Sequence, residues 1–189
     1  MRASKIHKAI LLVSALLALL SACNRTSGAS LPLEDYRDPY DRYTFAIPEG
    51  WETSVDNQLL TIVPPGYAGS EEELVVRVYS APTNTTDTAT HIDLAKQEIE
   101  PLLASYIDDD YEVVNEGEIR VDKYPAMLLD FAKPHQDSYM LGRVVIVAMP
   151  FYILVFFGTG VEAEWQAFLP TFRDMLKKFD MVKAIEPEE

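Results

Sequence analysis

Two runs in the second half of the chain, Val144-Val145-Ile146-Val147-Ala148-Met149 and Ile153-Leu154-Val155-Phe156-Phe157, constrain the fold more than any other feature. Neither run alternates polar with apolar residues. Strands of that composition must be covered on both faces, so both are expected at the centre of a sheet. The connection between them, through Met149, Pro150 and Phe151, is short enough for a hairpin. With 48% hydrophobic and 11% aromatic residues, the chain is too apolar to remain disordered.

The remaining pattern supplies partners for this pair. Tyr43, Phe45 and Ile47 alternate with polar neighbours and are followed by a Pro48-Glu49-Gly50 turn. Further strands are expected at Leu59 to Val63, Leu74 to Ser80, Glu112 to Val121, Ala126 to Lys133, Ser138 to Met149 and Phe151 to Gly158. Thr90, with Asp93 three residues on, reads as the N-cap of a helix whose apolar stripe is Ile92, Ala95, Ile99, Leu102, Leu103 and Tyr106. Pro101 interrupts that stripe and should kink it. A final helix from about Val161 to Phe179 presents Trp165, Phe168, Leu169, Phe172, Met175, Leu176 and Phe179 on one face, with a bend expected at Pro170. Two helices can cover the two faces of one sheet. The fold class is therefore α+β: a largely antiparallel sheet of about six to seven strands flanked by helices, an α/β/α sandwich.

The N-terminus is a separate object. Arg2, Lys5 and Lys8 precede Ala9 to Ala22, an uncharged run of 14 residues. At roughly 1.5 Å per residue this run is too short for a hydrocarbon core of about 30 Å. Basic start, short apolar run and small residues at its end describe an export signal. Leu20-Ser21-Ala22-Cys23 resembles the lipobox of bacterial lipoproteins. That resemblance implies diacylglyceryl modification of Cys23, cleavage before it, and attachment to the membrane through the lipid. Asn24 in the next position is compatible with outer-membrane sorting under that family's rules. Residues 1–22 are thus expected as a signal peptide, 23–35 as a lipidated tether, 36–181 as one domain and 182–189 as an acidic tail.

Charge narrows the function. The chain carries 16 Lys+Arg against 30 Asp+Glu; residues 1–22 hold three of the basic side chains and none of the acidic ones, so the rest has a formal charge of −17. Nucleic acid is excluded as a partner, because phosphate backbones are held by clustered Lys and Arg. The single Cys can form neither an internal disulfide nor a thiolate zinc cage. His91 reads as a surface or capping residue. His135-Gln136-Asp137-Ser138 has the residue types of a catalytic triad, but it lies on adjacent loop positions without a nucleophile elbow. Glu71-Glu72-Glu73 and Asp108-Asp109-Asp110-Tyr111-Glu112 are oxygen-rich enough to suggest calcium, yet they lack EF-hand spacing. No catalytic residues, cofactor or metal ligands are assigned.

Tyr43-Thr44-Phe45-Ala46-Ile47-Pro48-Glu49-Gly50-Trp51 resembles the opening strand and turn of the PsbP-like family. The stretch from Val113-Val114-Asn115 through Val121-Asp122-Lys123-Tyr124 to Leu129-Asp130-Phe131 is similar to that family's central hairpin, and Trp165 fits its last helix. The resemblance implies a fold and a role as a subunit or binding module, with no catalytic residues to transfer. Two functions stay open: a non-enzymatic protein-binding or assembly module in the envelope, or a carrier of a small ligand or calcium. The apolar turn Met149-Pro150-Phe151 is the candidate interaction tip, since exposed apolar patches mark interaction sites.

Overall fold

The computed structural model describes residues 29–182 apart from 71–72, 85, 95 and 98–109. A seven-stranded sheet runs in the order β3-β4-β5-β9-β8-β7-β6, and β1, β2 and β10 form a separate small sheet in the order β1-β2-β10. The strands are β1 (Leu33–Arg37), β2 (Tyr43–Pro48), β3 (Glu52–Asp56), β4 (Leu59–Val63), β5 (Val75–Pro82), β6 (Glu112–Val121), β7 (Tyr124–His135), β8 (Ser138–Met149), β9 (Tyr152–Val161) and β10 (Asp180–Met181). All pairings are antiparallel. The two doubly apolar runs are β8 and β9, buried at the centre as their composition requires.

Each face of the large sheet has its own core. Leu60, Ile62, Val76, Val78, Val145, Val147, Leu154 and Phe156 meet Trp165, Phe168, Phe172, Met175 and Leu176 of the C-terminal helix Glu162–Lys177, together with Tyr43, Phe45 and Ile47 of β2. On the opposite face Met127, Phe131, Val144, Ile146, Ile153, Val155 and Phe157 form a second cluster, against which Ile92 packs. This is the expected layering. Gly158 fixes how closely the C-terminal helix approaches: a Cβ there would stand 2.6 Å from the outer ring edge of Trp165 and 2.9 Å from the ring of Phe172. The helix runs through Pro170, whose missing N–H removes the donor for the Gln166 carbonyl.

Several boundaries differ from the sequence reading. The domain starts inside the segment expected as tether, because Leu33–Asp35 pair with Ala46–Pro48 and so become strand. The helix after β5 begins at residue 88 and is capped by Asp87, whose carboxylate accepts the Ala89 N–H at 3.1 Å and the Thr90 hydroxyl at 2.5 Å. Thr90 lies within that helix. Those two donors hold the Asp87 carboxyl below its ordinary value. The kink at Pro101 and most of the apolar stripe lie outside the described residues.

Candidate functional site

The C-terminal helix rests on the sheet through large side chains and leaves a groove along its N-terminal half. Leu31, the Pro64-Pro65-Gly66-Tyr67 loop, Leu74, Ala167 and Phe168 line it, with Glu73 and Glu164 at the rim, around a space of about 430 Å³. Each wall has an identifiable support. Phe168 is buried and stacks on Trp51, with centroids 5.0 Å apart and planes 14° from parallel. Glu73 closes the loop onto itself, accepting the Ala68 N–H at 3.0 Å and the Ser70 N–H at 2.9 Å. Leu31 is fixed by its backbone: its N–H donates to the Thr171 hydroxyl at 2.9 Å, while its side chain stays 42% exposed.

The apolar turn is sharper than the sequence implied. Met149 pairs with Tyr152, so Pro150 and Phe151 alone make the corner. Met149 is fully buried and belongs to the core, which corrects its place in an exposed tip. Pro150 is exposed and Phe151 is half-buried. Proline fixes its own φ near −65°, which moves the left-handed residue of the turn to position 151; Phe151 takes φ 61° where glycine would be at ease. The carbonyl of Phe151 accepts the Thr83 N–H at 2.9 Å.

Thr83 continues inward to a residue the sequence placed wrongly. His91 is fully buried, with Nε2 2.7 Å from the Thr83 hydroxyl and, among the described residues, no partner for Nδ1. Starting the helix at residue 88 turns His91 inward, so it is neither a surface nor a capping residue.

A second polar cluster, unread in the sequence, joins the two sheets. Arg42 donates to Asp38 through Nε at 2.7 Å and Nη2 at 2.6 Å, and through Nη1 to Ser80 Oγ at 2.7 Å and Tyr152 Oη at 3.3 Å. Both members of the pair are buried. Burial pushes the Asp38 carboxyl up, but hydrogen bonds from the Arg42 side chain and backbone outweigh it and hold the group below its ordinary value. The hydrogen bond to Asp38 likewise raises Arg42. The polar groups of the cluster engage one another, which makes it a fastener between the β1–β2 turn, β5 and β9.

The remaining sequence candidates do not converge. His135 and Ser138 face each other across the two-residue β7–β8 turn, and the Ser138 hydroxyl donates to Glu162 Oε2 at 3.2 Å instead of serving the imidazole. Among the described residues no three His, Cys, Asp or Glu side chains are placed to hold a metal ion. Glu71, Glu72, Asp108 and Asp109, like Cys23 and Asn24, lie outside the described residues.

The fold as a whole is similar to solved structures. CyanoP, the cyanobacterial PsbP of Synechocystis, superposes with a TM-score of 0.56 at 18% identity over 84% of this chain and 96% of its own. The fold is PsbP-like. LpqN of Mycobacterium tuberculosis, described as involved in cell envelope biogenesis, gives a TM-score of 0.56 at 11% identity over 79% of this chain and 91% of its own. A protein from Bacteroides thetaiotaomicron gives 0.57 at 10% identity over 84% of this chain; the match spans only half of that protein. No protein-family model and no curated protein sequence matches the chain.

Proposed function

We propose that the protein is a lipid-anchored envelope protein that works without catalysis, by docking a partner protein in the groove beside its tether. Position carries this reading. Leu31 lines the groove and lies eight residues after Cys23, a span of at most about 29 Å when fully extended. A lipid on Cys23 therefore keeps the groove close to the membrane surface. The formal charge of −17 beyond residue 22 gives the domain no attraction of its own to anionic headgroups, which leaves the lipid to hold it there. The envelope role described for LpqN is in keeping with this location.

The test places one charge in the groove. Ala167 is an exposed groove residue, and Gln166, also exposed and about 100° round the same helix from it, does not line the groove. Crosslinking in the native envelope should recover a defined protein partner with the parent chain and with Gln166→Glu, and lose it with Ala167→Glu. Equal recovery by both variants would refute docking at this groove. The second reading, a small-ligand carrier, has one observation in its favour: about 430 Å³ falls within the roughly 300–1,000 Å³ of small-molecule clefts. It predicts thermal stabilisation by an apolar ligand in the absence of any protein partner.

A further inference from the structure

The groove and the acyl chains expected on Cys23 belong to one molecule, joined by a short tether. We propose that one Cys23 acyl chain occupies the groove whenever the lipid is out of the bilayer, and that membrane insertion empties the groove for the partner. This inference rests on the lipid-anchored docking reading above and adds its regulation.

The tether sets how often the two meet. Asn24 to Ser30 read NRTSGAS, a short polar sequence with Gly and Ser. Eight residues span at most about 29 Å, enough to bring a group on Cys23 back over Leu31. A linker of this length presents its end group at an effective concentration of order millimolar. Even a weak apolar site is then filled in cis when water is the alternative.

The lining selects what enters. Leu31, Tyr67, Leu74, Ala167 and Phe168 offer apolar contacts, while the carboxylates of Glu73 and Glu164 stand at the rim. That rim repels a free fatty acid or an anionic headgroup. An ester-linked chain on Cys23 carries no charge of its own and meets no such barrier. A bilayer covers an acyl chain on all sides and the groove on fewer, so insertion moves the chain from the groove to the membrane. A partner then finds the groove open only on membrane-bound molecules.

The experiment is to grow cells with a diazirine-bearing palmitate, purify the full mature protein, and irradiate it in two states: diluted below the micelle-forming concentration of its detergent, and inserted into phosphatidylcholine vesicles. The expected result is intramolecular adducts on Tyr67, Leu74 and the 164–168 turn in the detergent-depleted state, at least tenfold fewer in vesicles. Ala167→Glu should remove the adducts and Gln166→Glu should keep them. Labelled protein without groove adducts, or with adducts indifferent to Ala167→Glu or to vesicles, would overturn this inference and leave the anchored docking reading standing. A chain that takes up no label at all would overturn both.

Discussion

Replacing Gly158 by alanine tests the placement of the C-terminal helix, which forms one wall of the groove. An added Cβ would stand 2.6 and 2.8 Å from two atoms of the Trp165 ring and 2.9 Å from Phe172. Carbon atoms in contact prefer roughly 3.5–4.0 Å, so relief requires movement of about 1 Å. Trp165 and Phe172 are both almost wholly buried, so their neighbours in the core must shift with them. Overpacking of this kind costs about 1–3 kcal/mol, and the upper half of that range is expected where two rings must give way. At about 2–4 °C per kcal/mol for a domain of this size, the melting temperature should fall by roughly 4–12 °C. Thermal and urea unfolding of the purified protein measure it. Trp165→Leu removes the obstructing ring, so the double variant should be less destabilised than the sum of the single ones by about 1–2 kcal/mol. A Gly158→Ala midpoint within 1 °C of the parent, or strict additivity with Trp165→Leu, would mean that the helix does not lie on Gly158.

Four other outcomes follow from the buried polar groups. Arg42→Ala leaves Asp38 charged and unpaired between the two sheets and should cost about 3–5 kcal/mol by urea unfolding. Arg42→Lys should recover only part of this, because an ammonium cannot reach two carboxylate oxygens, Ser80 and Tyr152 together. Because the folded state holds the Asp38 carboxyl below its ordinary value, the pair's stabilisation is fully present above an unfolded value of about 3.9 and is lost as pH falls through the lower folded value; acid unfolding of Asp38→Asn should accordingly depend less on pH below about 4 than that of the parent. Thr83→Val keeps the shape but strips the His91 imidazole of its hydrogen bond to the Thr83 hydroxyl, and a loss of about 1–3 kcal/mol in thermal unfolding is expected.

The parts legible in the sequence were those dictated by burial. The runs in β8 and β9 and the stripe of Trp165, Phe168, Phe172 and Met175 admit few alternatives, and they set the central strands and the covering helix. β3 escaped because all five of its residues are exposed and its pairing with β4 alone makes it a strand. β1 and β10 likewise depend on β2 as their template. The Arg42 cluster was missed because Asp38-Pro39-Tyr40-Asp41-Arg42 reads as a solvated turn; only the arrival of Ser80 and Tyr152 from distant strands buries it. His91 was misplaced by a cap assigned three residues late. The groove had no sequence signature, since Leu31, the 64–74 loop and the 164–168 turn come together only through the tertiary fold.

Membrane-proximal docking stands or falls on what is attached to residue 23. Intact-mass measurement of the protein purified from its native envelope should give a chain lacking residues 1–22, beginning at Cys23 and carrying a diacylglyceryl group on the thiol with or without a further acyl chain. A mature chain with a free Cys23 thiol, or one cut elsewhere, would contradict the account.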